Sequence, residues 1–205
     1  MIENIKWLFF DVGSTLVDES AVYESRMRNV AKMANVTYEY VYETAIGFYK
    51  ENKKGDLETM KLLNVEKPEW KHEDEILYSD AENCLKKLSG KYKIGVIANQ
   101  SLGTEKRLEN FGLLKYIELV IASAEEGIAK PDKRIFEIAL NRANCEPWQA
   151  IMIGDRIDND IVPAKKLGMR TIWIKRGFYR YWNITREEEK ADYEVNNLTE
   201  IFEFI

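Results

Sequence analysis

The chain has 205 residues, 45% of them hydrophobic and 32% charged, with a formal net charge of −5. That length can bury a sizeable core, as one domain or as a core with an insert, and the acidic balance argues against the broad positive face of a nucleic-acid binder. No apolar run reaches the length of a membrane span, and the two cysteines, Cys84 and Cys145, have no metal-ligand spacing. They are expected to stay reduced in a cytoplasmic protein, because the N-terminus lacks a basic region followed by a long apolar stretch and a cleavage site.

The first element is a buried strand near Lys6–Asp11, whose run Trp7, Leu8, Phe9, Phe10 ends in Asp11 and then in Val12, Gly13, Ser14, Thr15. A strand of an α/β sheet that ends in an acid delivers it to the carboxyl edge, where ligands bind; capping of the next turn is the plain alternative. Asp18 and Glu19 then read as acids at a helix start, favoured there by the helix dipole. From residue 17 to residue 78 the texture is helical. Val22, Met27, Val30, Ala31 and Ala34, then Tyr38, Val41, Tyr42, Ala45 and Phe48, recur at three- and four-residue spacing without strand runs.

The aromatics of this segment read mainly as its own core. Lys50 to Asp56 reads as a charged loop containing Gly55. His72, the only histidine, stands among Lys71, Glu73 and Asp74 on a polar surface and receives no role.

Further strands are expected near Lys93–Ala98, Leu119–Ala122, Ala150–Gly154 and Arg170–Ile174, alternating with helices, parallel and covered on both faces. The core is therefore discontinuous, residues 1–16 and 79–205, with 17–78 inserted. Asn99 follows the strand Lys93–Ala98, where it is either a site residue or a helix N-cap before Leu102–Phe111. Lys130 precedes Pro131, which would open a helix. Asp155, Asp158 and Asp160 crowd three carboxylates into six residues after the fourth strand, a donor set suited to Mg²⁺ or to a solvated turn. The late segment Lys175–Trp182 mixes basic and aromatic residues and reads as a loop over the sheet edge or part of a homodimer contact.

In this order, the Asp11 strand, the Asn99 strand, Lys130-Pro131-Asp132 with Ile135 and Phe136, and Gly154-Asp155 through Asp160 resemble the haloacid dehalogenase-like hydrolase superfamily. The approach Tyr78-Ser79-Asp80-Ala81 and the closing Ala191–Val195 extend the resemblance over nearly the whole chain. It implies a Rossmann-like three-layer α/β sandwich around a central parallel sheet, with a small α-helical cap inserted after the first strand. It also implies that Asp11 is a transiently phosphorylated nucleophile, that Lys130 holds the charges together with Asn99 in the catalytic set, and that Asp11, the Gly13 carbonyl, Asp155 and Asp160 hold Mg²⁺. The implied substrate is a small phosphorylated molecule, with no nucleic acid and no membrane involved.

Two departures qualify the resemblance. Phosphatases of the superfamily carry a second Asp two residues after the nucleophile, which protonates the leaving oxygen and deprotonates the attacking water; here that residue is Gly13. Such catalysis is typically worth about 10² to 10⁴ in rate. Where the family has Ser or Thr, this chain has Ala98, with Ser101 a nearby replacement; one neutral hydrogen bond lost costs about 0.5–1.5 kcal/mol.

Three explanations are open. The substrate needs no acid, as with an acyl phosphate, a phosphoanhydride, a halide or, with a cap lysine such as Lys50, Lys53 or Lys54, a carbon–phosphorus bond. Another residue supplies the proton, with Asp18, Glu19 or a carboxylate or hydroxyl brought in by the cap as candidates. Or the chain is a weak or inactive relative that binds phosphate or a partner. The expectation is a Mg²⁺-dependent hydrolase forming an aspartyl-phosphate on Asp11.

Overall fold

The computed structural model describes residues 4–205. In chain order its elements are β1 (Trp7–Phe10), β2 (Val17–Asp18), α1 (Ser20–Ala34), α2 (Tyr38–Lys50), α3 (Gly55–Leu62), β3 (Ile76–Leu77), α4 (Ala81–Leu88) and β4 (Lys93–Ala98). They continue with α5 (Thr104–Asn110), β5 (Leu119–Ala122), α6 (Ser123–Glu126), α7 (Lys133–Ala143), β6 (Ala150–Gly154), α8 (Val162–Lys166), β7 (Arg170–Ile174) and β8 (Tyr193–Val195).

β1 is buried along its whole length because it lies at the centre of the sheet, whose order is β5-β4-β1-β6-β7-β8. All its pairings are parallel, and Phe10 sits opposite Val96 on one side and Ile153 on the other. Alternation along the strands divides the core by face. Leu8, Phe10, Val96, Ile153 and Ile172 face α4, Leu108 of α5 and the C-terminal Leu198 and Ile201. Trp7, Phe9, Ile97 and Met152 face Ile135, Phe136 and Ala139 of α7 and Ala164 of α8. The result is the α/β three-layer sandwich expected of a parallel sheet buried on both faces.

The sheet has one strand more than the five expected, β8 at the edge, which pairs parallel to β7. A short antiparallel pair, β2 with β3, also forms where the chain leaves and re-enters the sheet layer. Helices α1 to α3 build a separate cluster from Met27, Val30, Val41, Ala45, Tyr49 and Met60.

The charged stretch expected as a loop from Lys50 to Asp56 is shorter than that. α3 begins at Gly55, so Asp56 lies in its first turn, where it is buried. It accepts from Arg26 Nη1 at 3.1 Å and from Tyr49 Oη at 3.0 Å. Pro131 does not open α7 either. That helix starts at Lys133, capped by the Asp132 side chain, which accepts from Arg134 N.

Candidate active site

β1, β4 and β6 lie side by side and parallel, so the residues that follow them meet at one edge of the sheet. Asp11 follows β1, Asn99 follows β4 and Asp155 follows β6, and all three line one cavity. Asp11 is tied to the third strand by its backbone, which donates to Ile153 O at 2.9 Å.

Lys130 comes to this edge from the loop before α7 and is buried. Its ammonium donates to Asp11 Oδ1 at 2.7 Å, to Asp160 Oδ1 at 2.5 Å and to the Ile97 carbonyl at 2.8 Å, which uses all three N–H groups. Burial alone would depress its pKa, but Asp11 and Asp160 outweigh it and hold the ammonium above its ordinary value. Asn99 does not cap a helix, since α5 begins at Thr104 behind Gly103. Its side-chain amide clasps the backbone of Lys130 instead, accepting from Lys130 N at 2.7 Å and donating to Lys130 O at 2.8 Å. Asn99 therefore sets the lysine in place.

Asp160 is brought in by a wide π-helical turn over Ile157–Ile161. Its Oδ2 accepts from Arg156 N at 3.0 Å. The close approach depends on Gly154, where an added Cβ would stand 2.7 Å from the Asp160 Cβ. Asp155 anchors its backbone carbonyl on Trp173 Nε1 at 2.7 Å, while its buried carboxylate accepts no hydrogen bond among the described residues. Burial pushes the Asp160 carboxyl up to about 6 against the pull of Lys130, and burial with Asp11 and Asp160 nearby raises Asp155 strongly.

These are oxygen donors with negative charge in excess of the one buried ammonium. Asp11, Asp155 and Asp160 each place a carboxylate oxygen within 4.8 Å of the others. A hard divalent cation suits that donor set. The unbonded Asp155 carboxylate is the most available ligand, whereas Asp160 already has both oxygens engaged.

Gly13 lines the same cavity. The adjacent acids Asp18 and Glu19, expected alike at the helix start, part ways. Asp18 Oδ1 accepts from Ser20 N at 2.9 Å and from its hydroxyl, as a helix-start acid does. Glu19 stands at the N-cap position of α1 but makes no side-chain capping bond. Its side chain turns into the cavity, where Ser14 Oγ donates to Oε2 at 3.0 Å. Burial pushes its carboxyl up to about 8; Asp11, Glu75 and Asp18 act the same way, and the Ser14 bond opposes them.

Ser101 does not make up for Ala98. It is exposed, accepts from Arg107 Nη1 at 3.1 Å and lies 3.3 Å from His72 Nε2. His72, given no role from sequence, thereby links the helical segment to the loop after β4; its Nδ1 lies 2.8 Å from Glu75 Oε1. Lys50, Lys53 and Lys54 are exposed and outside the cavity. The segment Lys175–Trp182 spends its aromatics inside the chain. Phe178 stacks on Tyr49 at 5.2 Å, and Tyr179 joins the cluster of α1 to α3 while lying under the Arg156 guanidinium at 4.3 Å.

A glyceraldehyde 3-phosphate phosphatase of Pyrococcus furiosus is 29% identical over an alignment that covers 100% of this chain and 94% of the relative. Two solved structures share the fold. A predicted phosphoglycolate phosphatase from Haemophilus somnus has a TM-score of 0.75 at 18% identity, covering 99% of each chain. A 2-haloacid dehalogenase from Pseudomonas syringae has a TM-score of 0.65 at 23% identity, covering 97% of each. At these identities the likeness concerns fold and does not choose between phosphatase and dehalogenase chemistry. The profile of the haloacid dehalogenase-like hydrolases matches residues 8–174, the greater part of the chain, and the chain belongs to that family.

Proposed function

We propose that this hydrolase is a Mg²⁺-dependent phosphatase acting on a small phosphorylated metabolite through an aspartyl-phosphate on Asp11. The observation that carries the reading is the Lys130 ammonium bonded to both Asp11 and Asp160, beside an Asp155 carboxylate that accepts no hydrogen bond among the described residues. That carboxylate is free to take a cation, as metal-assisted phosphoryl transfer requires.

Lys130 fixes Asp11 through Oδ1 and leaves Oδ2 to attack phosphorus. The bond from Oδ2 to phosphorus forms as the bond to the leaving oxygen breaks, and water then releases phosphate from Asp11. Lys130 balances charge at the nucleophile throughout, and Asn99 keeps it there by holding its backbone from both sides. Asp11, Asp155 and Asp160 would hold Mg²⁺, which supplies Lewis-acid stabilisation of charge on the phosphoryl oxygens.

The α1–α3 segment acts as a cap that excludes water and selects substrate, pinned by Tyr179 and Phe178 from the segment that follows β7. Two free thiols, Cys84 and Cys145, suit a reducing, cytoplasmic setting. Support for a small phosphorylated substrate comes from the full-length match to the Pyrococcus furiosus phosphatase.

The test is a hydrolysis screen with purified protein over acetyl phosphate, p-nitrophenyl phosphate, sugar phosphates and nucleoside monophosphates, with Asp11→Asn as the blank. Turnover that needs Mg²⁺ and vanishes in Asp11→Asn is the expected outcome. Silence on every compound, with phosphate still bound, would replace this reading by that of a binding protein.

A further inference from the structure

Phosphoryl transfer from an ordinary alkyl phosphate needs a proton for the leaving oxygen, and the position two residues after Asp11 is a glycine. The space a side chain would take there is not empty. A Cβ built on Gly13 would run into the Glu19 carboxylate, with Cδ and Oε2 2.8 Å away. Glu19 therefore brings its carboxylate, from the start of α1, to where a side chain at residue 13 would begin, in the cavity that holds Asp11 and Lys130. Ser14 Oγ fixes Oε2, and Oε1 has no hydrogen-bond partner among the described residues.

A residue serving only to fill this hole would be apolar, because burying a carboxylate with one hydrogen bond beside other carboxylates costs free energy. We propose that Glu19 is the general acid and base of this site, positioned by Ser14, which makes the chain a phosphatase for ordinary alkyl phosphates and not only for activated esters. This rests on the phosphatase reading above.

In the first half-reaction Asp11 Oδ2 bonds to phosphorus, the phosphorus–oxygen bond to the leaving group breaks, and that oxygen takes the proton of the Glu19 carboxyl. In the second, the Glu19 carboxylate removes a proton from water as the water oxygen bonds to phosphorus. The bond to Asp11 breaks, phosphate leaves, and Glu19 is protonated again.

The experiment compares the full chain with Asp11→Asn and Glu19→Gln in Mg²⁺, on an alkyl phosphate and on p-nitrophenyl phosphate. Glu19→Gln is expected to lose about 10² to 10⁴ of its turnover on the alkyl phosphate. On p-nitrophenyl phosphate, whose leaving group needs no proton, the same variant is expected to release a burst of p-nitrophenol stoichiometric with the chain, then slow as phosphoenzyme accumulates. A structural defect would give no burst.

Rescue makes a second test. Glu19→Ser opens the space beside residue 13, so adding Gly13→Asp to it is expected to recover alkyl phosphate turnover at least about tenfold over Glu19→Ser alone. Undiminished alkyl phosphate turnover in Glu19→Gln, or equal loss on both substrates without a burst, would overturn the role of Glu19 and leave the phosphatase reading standing. A silent wild-type protein, or activity surviving in Asp11→Asn, would overturn both.

Discussion

Three carboxylates of the site, Asp155, Asp160 and Glu19, hold their protons more tightly than exposed acids, with burial the leading cause for each. A carboxyl whose folded pKa lies above its unfolded one binds more protons in the native state, so stability falls as pH rises through that interval. The interval opens at the ordinary values of 3.8 and 4.5 and extends to about 6 for Asp160 and about 8 for Glu19. Lys130 is raised as well, by Asp11 and Asp160 against the opposing effect of burial, but its contribution is lost only as pH rises past its ordinary 10.5, outside this window. In chelator, the thermal midpoint is expected to drop from about pH 5 to about pH 8, and added Mg²⁺ to raise it most at the upper end. A midpoint that climbs over this range, or that ignores Mg²⁺, would contradict the charge balance described for the site.

The same residues show where sequence reasoning stopped. Asp11, Lys130, Asp155 and Asp160 were legible because each ends a strand or stands in a motif. Asp18 and Glu19 are neighbours of the same type at one helix start, and only the direction of the Glu19 side chain separates them. The usable signal was Gly13 itself, since a glycine two residues after Asp11 leaves a space for another group.

Among the elements, the helical segment depends on a buried ion pair that the apolar periodicity could not show. Arg26 and Asp56 are both buried, and the Arg26 guanidinium also lies 4.7 Å from the Trp70 ring. Removing one partner of such a pair leaves an uncompensated buried charge and typically costs about 3–5 kcal/mol. Asp56→Ala is expected to lose that much in denaturant unfolding, and a change below about 1 kcal/mol would mean the pair is incidental. From sequence Asp56 looked like part of a polar loop, because the stretch from Lys50 is charged and contains Gly55. Pro131 likewise suggested a helix start, yet the side chain of Asp132 decided the boundary. The aromatics of 178–182 could not be placed because their partners, Tyr23, Tyr42 and Tyr49, lie more than a hundred residues away.

For the whole molecule, the parallel sheet was readable because its central strands are short apolar runs ending in chemistry-bearing residues. β8 escaped because three residues at a sheet edge, one of them exposed, carry no strong period. The β2–β3 pair, two residues in each strand, is shorter than any pattern can register. That pair nevertheless marks where the helical segment joins the sheet layer, and Glu19 follows β2 directly. The segment's entry point thus carries a residue of the cavity that Asp11 lines, which ties the placement of α1 to that cavity.

The most direct measurement is to expose the protein to radiolabelled acetyl phosphate in Mg²⁺, quench in acid and map the label. A single label on the peptide containing Asp11, absent from Asp11→Asn, is the expected result. Label on another residue, or none despite turnover, would contradict an aspartyl-phosphate at the end of β1.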